Sequence, residues 1–302
     1  MRGAKPEPES PLRMNAVFAA ALTIGLAAAW LSVQVLQGWP WLYDAHAYWA
    51  VRLDDPYARS AFGTLDAFLY SPAFAQIFSP LTHLPWKAFT VVYVAAMLVT
   101  TVWLARPVRG RWLVPFALFA FPEFVAGNIH IFLAAALVLG MRYPAAWSFI
   151  VLTKVLPGVG LAWFAVRREW RFLGAAVAIV AAIAGVSFAL APHLWLAWAA
   201  VLRGSDPTPG VTAYQPAWWL RLPLALALVV WGARTNRRWA LPFAAVVSLP
   251  TFWTSSIALF LAIPRLEAEG RPERAGSQMS AAGPEPAGAC SEPEEAQICP
   301  KF

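Results

Sequence analysis

An aspartate and a tyrosine with helical spacing lie a few residues after a long apolar stretch ends. On a helix Asp44 and Tyr48 are four residues apart, so they share a face. A carboxylate at the lipid interface could act as a general base on a hydroxyl of a lipid-linked substrate. The alternative is an acid that only caps a helix or solvates a loop. Spacing alone favours this second interpretation.

A lysine interrupts an otherwise apolar region further along the chain. Lys154 lies three residues before Pro157, which predicts a broken helix at that point. An ionised side chain in an apolar segment is costly unless it is paired or hydrated. Such a lysine could hold a phosphate as a compact point charge. A lysine that reaches the interface from a helix end is an equally good interpretation.

The segment Gly127-Asn128-Ile129-His130 supplies a third group of polar residues. It follows a helix break predicted at Pro122 and starts a helix whose free amides could bind an anion. His130 is more often a satisfied buried histidine than a catalytic one. The outer boundary also carries further cations and imidazoles, each as compatible with interface polarity as with substrate contact: His46, Arg52, His83 and His193.

Several familiar catalytic motifs are absent from the sequence. There is no Walker A loop, GxGxxG, HExxH or GxSxG motif. The two cysteines, Cys290 and Cys299, both lie near the C-terminus, so the apolar body has no disulfide framework and no cysteine metal cluster. Soluble nucleotide and hydrolase chemistry is therefore disfavoured, and we expect no metal and no other cofactor.

Composition predicts a membrane protein. Of the 302 residues, 60% are hydrophobic and only 13% are charged, whereas soluble domains carry about a quarter charged residues. The net charge of +7 comes largely from short arginine clusters between apolar runs, at 106–111, 167–171 and 234–238. This pattern is typical of cytoplasmic loops. It leaves no basic face for nucleic acid.

The apolar pattern predicts an all-α, polytopic bundle of about ten crossings, several of them short or broken by proline. Full-length spans are predicted at 15–36, 86–105, 172–191 and 218–233. Residues 1–14 are predicted to form a cytoplasmic tail, and residues 15–264 the transmembrane domain. Within it, residues 37–67 form an external loop and 68–84 a re-entrant or interfacial segment. Residues 265–302 are predicted to be a disordered cytoplasmic tail.

The acidic residues agree with this topology. Apart from the tails, Glu169 is the only acid on the cytoplasmic side, and six acids fall outside: Asp44, Asp54, Asp55, Asp66, Glu123 and Asp206. Polar chemistry is therefore expected on the outer face.

Several short motifs resemble glycosyltransferase family 87. They are Asp55-Pro56-Tyr57, Tyr70-Ser71-Pro72-Ala73-Phe74-Ala75, Ser79-Pro80-Leu81 and Leu84-Pro85-Trp86. Gly127-Asn128 resembles the Gly-Gln pair of that family, and Lys154-Val155-Leu156-Pro157 resembles its Lys-x-x-Pro element. The resemblance extends over about residues 40–235. Two positions depart from the pattern, Ser71 in place of a proline and Asn128 in place of a glutamine.

The resemblance implies a GT-C glycosyltransferase in the plasma membrane. Such an enzyme transfers a hexose, usually mannose, from a polyprenyl-phosphate donor to a glycolipid or glycan acceptor on the external face, without a metal. It also implies that Asp44 is the catalytic base. Tyr48, Arg52, Asn128, His130 and Lys154 are then the expected substrate-binding residues.

Two functions of other classes remain open from the sequence. Broken helices and an intramembrane lysine also describe the substrate pathways of transporters and lipid flippases. A non-catalytic scaffold with the same fold is the third interpretation, since one motif position has changed to Ser71.

Overall fold

The computed structural model describes residues 11–60, 63–204 and 215–270, and within these ranges all regular structure is helical. The helices are α1 (Pro11–Val35), α2 (Tyr43–Ala50), α3 (Pro72–Thr82), α4 (Trp86–Ala105), α5 (Leu113–Ala126), α6 (His130–Gly140), α7 (Ala146–Thr153), α8 (Ala162–Val166), α9 (Trp170–Leu190), α10 (Pro192–Gly204), α11 (Trp218–Thr235) and α12 (Ala240–Ser248). Short 3₁₀ segments cover Gly110–Trp112, Leu156–Leu161 and Thr254–Ala262. The all-α prediction is confirmed for the described residues.

Three helices are long and apolar enough to cross a membrane: α1, α4 and α9. All three were predicted as spans within a few residues. Their outer faces expose large apolar side chains, such as Val91, Val99 and Val102 on α4. Such faces are compatible with lipid and not with water. The predicted total of about ten crossings is not confirmed, because most other helices fall short of the roughly 20 residues that a bilayer requires.

Helix α6 lies in the centre of the bundle. Most of its residues are buried, including His130 at its first turn and Gly140 at its end. It is surrounded by α4, α5, α7 and Thr254–Ala262. The lack of a side chain at Gly140 lets the Trp147 indole approach and donate a hydrogen bond of 2.9 Å to the Gly140 carbonyl. This contact packs α7 closely against the end of α6.

The interruption predicted between Pro122 and Asn128 is present, but it falls at the end of that range and not at the proline. Helix α5 continues through Pro122 to Ala126 and ends at Gly127, which has a positive φ of 68°. A proline removes only one backbone hydrogen bond, and membrane bundles tolerate that loss. The left-handed glycine is what stops the helix. The break predicted near Lys154 is present, since α7 ends at Thr153 and Lys154 is extended.

The last described helical turns extend into the segment predicted as a tail. Residues 263–270 are helical, and the Arg265 guanidinium donates a 2.7 Å hydrogen bond to the Trp103 carbonyl and stacks 3.8 Å from its ring. These contacts hold the helix against the end of α4. The predictions for residues 1–10 and 271–302, for the two cysteines and for Asp206 lie outside the described residues.

The arginine clusters meet at the end of the bundle where α1 begins. Arg111 donates to the Asn15 side chain at 2.9 Å, and Arg167 donates to Asn236 at 3.3 Å. The helical residues 263–270 connect the two groups, because Arg265 contacts Trp103 and Gly270 lies against Arg238. Helix α1 rises about 37 Å from this end and leads into α2 at the opposite end.

Candidate active site

Helix α2 is held against the end of α5 by backbone contacts. The Leu42 amide donates to the Val125 carbonyl at 2.9 Å, and the Trp41 indole donates to Phe124 at 2.8 Å. The two backbones approach so closely that a Cβ at Gly127 would lie 2.8 Å from the Cβ of Ala45. Gly127 is therefore required by its positive φ and by this contact.

This approach brings Asp44 to Asn128. The Asn128 side-chain amide donates a 2.6 Å hydrogen bond to Asp44 Oδ2, and its oxygen accepts from the Ile129 amide at 2.8 Å. The Tyr93 hydroxyl lies 2.9 Å from the carbonyl oxygens of both Gly127 and Asn128, which fixes the turn from the side of α4. Asn128 therefore positions the carboxylate.

Asp44 is partly buried and lies outside the three candidate spans. Burial raises the pKa of its carboxyl to about 6, while the Asn128 hydrogen bond and the Lys154 charge lower that pKa. The group is ionised at neutral pH and is more basic than an exposed aspartate. These are the properties of an effective general base.

A chain of three ionisable side chains runs from Lys154 into the core. The Lys154 ammonium lies 2.8 Å from His130 Nε2, and His130 Nδ1 lies 3.1 Å from Glu123 Oε2. A carboxylate can only accept, so the proton of His130 is on Nδ1 and Nε2 accepts from the lysine. The negative charges of Asp44 and Glu123 both act on the ammonium. His130 and Glu123 thus position Lys154, and its ammonium lies within electrostatic range of Asp44.

The free amides expected at the start of α6 are already paired. Glu123 Oε1 accepts from the His130 amide and, at 3.3 Å, from the Ile131 amide. The fully buried Glu123 carboxylate is thus itself the anion at this helix N-terminus. A helix start buried in the core leaves donors that need an acceptor, and the preceding helix supplies it.

The other two predicted site residues, Tyr48 and Arg52, do not lie beside Asp44 and Lys154 in the site. Tyr48 is 1% exposed, and its hydroxyl pairs with that of Tyr70 at 2.8 Å. The Tyr70 hydroxyl in turn lies 3.5 Å from Asn128 Oδ1. Tyr48 thus supports the site from within the core and does not face a substrate. Arg52 is not part of this group, because it lies beyond the end of α2 and lines a separate cavity.

A model of glycosyltransferase family 87 matches residues 68–282. The chain belongs to glycosyltransferase family 87. The matched residues include Glu123, Asn128, His130 and Lys154, whereas Asp44 precedes them. The family and the apolar spans together make this protein a membrane glycosyltransferase. The chain has no match among the curated proteins or among the solved structures.

Cavities of this glycosyltransferase lie on two sides of these residues in the described part of the chain. The apolar cavity has a volume of about 440 Å³ and is enclosed by α3, α4, α6 and α7, with Tyr93 and Ile129 on its wall. The loop cavity has a volume of about 390 Å³ and lies between α2 and residues 51–59, 66 and 68. Its polar lining residues are His46, Arg52, Asp55, Arg59, Asp66 and Thr82.

The serine that departs from the family pattern has a structural role. Ser71 Oγ donates a 2.5 Å hydrogen bond to the Leu152 carbonyl and accepts from the Phe74 amide at 3.4 Å. It therefore caps α3 and ties it to α7, two residues before Lys154. A proline at this position could make neither contact.

The residue that sequence reasoning missed is Glu123, which was predicted only as an external acid. The available signal was an ionisable residue inside an apolar run, which marks a functional position by default. The described part of the chain holds no group of three or more His, Cys, Asp or Glu residues that could bind an ion, and the expectation of a reaction without a metal stays a prediction.

Proposed function

We propose that this family 87 glycosyltransferase moves mannose from a polyprenyl-phosphate donor to a glycolipid or glycan hydroxyl on the external face of the plasma membrane. The observation that carries the proposal is that a partly exposed carboxylate, Asp44, and a partly exposed ammonium, Lys154, lie within electrostatic range of each other. One can take a proton while the other receives negative charge.

The reaction is a single displacement. The acceptor oxygen attacks the anomeric carbon as the bond from that carbon to the phosphate oxygen breaks, so the configuration inverts. Asp44 takes the proton of the acceptor hydroxyl. The polyprenyl phosphate leaves with the bonding electrons, and Lys154 stabilises the charge that develops on it. Asn128 holds the carboxylate, and Glu123 and His130 hold the ammonium.

The apolar cavity supports a donor with a long hydrocarbon chain. Its lining residues are apolar or aromatic, and it borders the turn that carries Asn128 through Tyr93 and Ile129. A prenyl chain in this cavity would place its phosphate near the start of α6. There it would meet Lys154.

The arginine clusters support an external active site. They gather at the end of the bundle where α1 starts, and arginine-rich ends remain in the cytoplasm. Helix α2 follows α1 at the other end, about 37 Å away. Residues 11 and 270 then both lie towards the cytoplasm.

The proposal of mannose as the sugar rests on the resemblance to the family. The proposal that no metal is needed rests on that resemblance and on the charge of Lys154. The donor brings its own phosphate leaving group, and a protein cation is already present at the site in Lys154. A divalent ion is then not required to neutralise the phosphate.

The test is a radiolabel transfer assay with the purified protein in lipid bilayers. Wild-type protein and Asp44→Asn are supplied with polyprenyl-phosphate mannose and membrane lipid extract, with and without a chelator. We expect transfer that resists the chelator and is lost in the variant, with an unchanged melting temperature. Transfer that persists in Asp44→Asn would show that Asp44 is not the general base. No transfer from any polyprenyl-phosphate sugar would favour a carrier or a scaffold.

A further inference from the structure

The loop cavity lies on the side of α2 that faces away from Lys154. Asp44 and His46 are two residues apart, which is about 200° around a helix. Asp44 accordingly bonds to Asn128, whereas His46 Nδ1 bonds to Asp66 at 2.5 Å. The loop cavity is therefore lined by other residues than those of the proposed reaction site, and its role has to be explained separately.

The polar wall of the loop cavity is built and held in place. Asp66 accepts from His46 through Oδ1 and from Arg59 through Oδ2, the latter at 2.9 Å. The His46 ring also packs against two indoles, 5.3 Å from Trp49 and 4.9 Å from Trp86. The Trp49 indole donates to the Leu84 carbonyl at 2.8 Å, which fixes its ring on the cavity wall.

The lining suits a neutral sugar. It contains two guanidiniums, Arg52 and Arg59, and two carboxylates, Asp55 and Asp66, so its formal charges balance and no anion is favoured. Guanidiniums only donate and carboxylates only accept. Sugar hydroxyls do both. The half-buried Trp49 ring supplies apolar surface for the C–H face of a sugar ring. The volume of about 390 Å³ lies in the range of small-ligand sites.

We infer that the loop cavity binds an acceptor glycan of more than one sugar. The inference rests on the proposed function, because it places the acceptor next to the helix that carries the base. The cavity is separated from Asp44 by the thickness of α2, about 10 Å. A single sugar cannot occupy the cavity and reach Asp44 at the same time. One sugar of the acceptor glycan therefore binds in the cavity, and a further sugar of the same glycan brings its hydroxyl to Asp44.

The experiment measures binding separately from transfer. Isothermal titration calorimetry follows mannose and mannotriose on the full chain in lipid nanodiscs, for wild type, Asp55→Asn, Asp54→Asn and Asp44→Asn. Asp54 and Asp55 are adjacent and both exposed, but only Asp55 lines the cavity. Asp54→Asn is thus a matched control.

We expect mannotriose to bind wild type more tightly than mannose does. Asp55→Asn should raise its Kd about tenfold, the effect of losing one charged hydrogen bond. Asp54→Asn should leave it unchanged, and Asp44→Asn should raise it less than Asp55→Asn does, because Asp44 meets only the sugar outside the cavity. In transfer assays Asp55→Asn should raise the KM for a glycan acceptor and leave kcat and the donor KM unchanged.

Two results would overturn the inference: no mannotriose binding to wild type, or equal binding to wild type and Asp55→Asn. If transfer is active in the same preparations, the proposed function stands without it. If mannotriose binds as expected but no polyprenyl-phosphate sugar supports transfer, the cavity is a glycan site and the proposed reaction fails.

Discussion

The two faces of α2 carry polar residues in opposite settings. On one face Asp44 meets Asn128 and the chain of Lys154, His130 and Glu123, which leads into the core and ends at a fully buried carboxylate. On the other face the polar groups line an open cavity, and Arg59 is largely exposed to solvent. One short helix thus separates buried charges suited to a reaction from solvent-accessible polar groups suited to binding.

The difference predicts how substitutions divide between rate and affinity. Changes on the Asp44 face should lower kcat, because they alter charges that act on the transition state. Changes on the His46 face should raise the acceptor KM. Substitutions at four positions on or behind the Asp44 face test this division.

Lys154→Met should have the largest effect after the loss of the base. Removing a preorganised cation from a developing negative charge costs about 10²–10³ in kcat. The matched variant Lys154→Arg keeps the charge and should retain more of the rate. The measurement is kcat for radiolabel transfer. Equal rates in Lys154→Met and wild type would show that the ammonium does not act on the leaving group.

Glu123→Gln should lower kcat by about tenfold, since the carboxylate that orients His130 loses its charge. Glu123→Ala should in addition lower the melting temperature, because it leaves the His130 and Ile131 amides buried without an acceptor. Each unpaired group costs about 1–3 kcal/mol. If Glu123→Ala melts like wild type, the carboxylate does not cap α6.

Gly127→Ala should lower transfer about tenfold, with a lower melting temperature. The new Cβ would meet Ala45 and push α2 away from Asn128. The matched control is Gly110→Ala, since Gly110 has a φ of 58° but nothing within 4 Å of an added Cβ. Both variants carry the left-handed cost of about 1–2 kcal/mol, and only Gly127→Ala should lose transfer.

The pH profile should show the smallest effect. Since the pKa of Asp44 is raised from 3.8 to about 6, the base is protonated below that pH. The transfer rate should therefore fall as pH decreases through about 6. The Asn128 hydrogen bond lowers this pKa, so Asn128→Ala should move the acidic limb to higher pH. A limb that moves to lower pH, or does not move, contradicts the assignment of Asp44 as the titrating base.

The long spans could be predicted because their signal is local. The limits of α4 were predicted correctly, and those of α1 and α9 were predicted within a few residues, since about 20 consecutive apolar residues can hardly form anything else. The end of α5 could not be predicted as well. The choice between Pro122 and Gly127 as its terminus depends on packing against Ala45, which is far away in sequence.

Most residues of the candidate site could be predicted from the sequence, but their spatial arrangement could not. Asp44, Asn128, His130 and Lys154 were chosen for their residue types, and the fold brings them together. Arg52 was grouped with them because the predicted topology placed it at the outer boundary, whereas the structure places it on the loop cavity. Glu123 was missed because its partner amides belong to the next helix. Such pairings are set by tertiary structure.

The Tyr93 hydroxyl joins α4 to the two carbonyls of the turn that carries Asn128. Because α4 is a candidate span of 20 residues, its tilt adjusts to the thickness of the surrounding hydrocarbon. A change of tilt displaces Tyr93 and, with it, the amide that orients Asp44. The transfer rate is therefore expected to depend on the acyl-chain length of the host bilayer, because bilayer thickness changes the orientation of the Asp44 carboxylate.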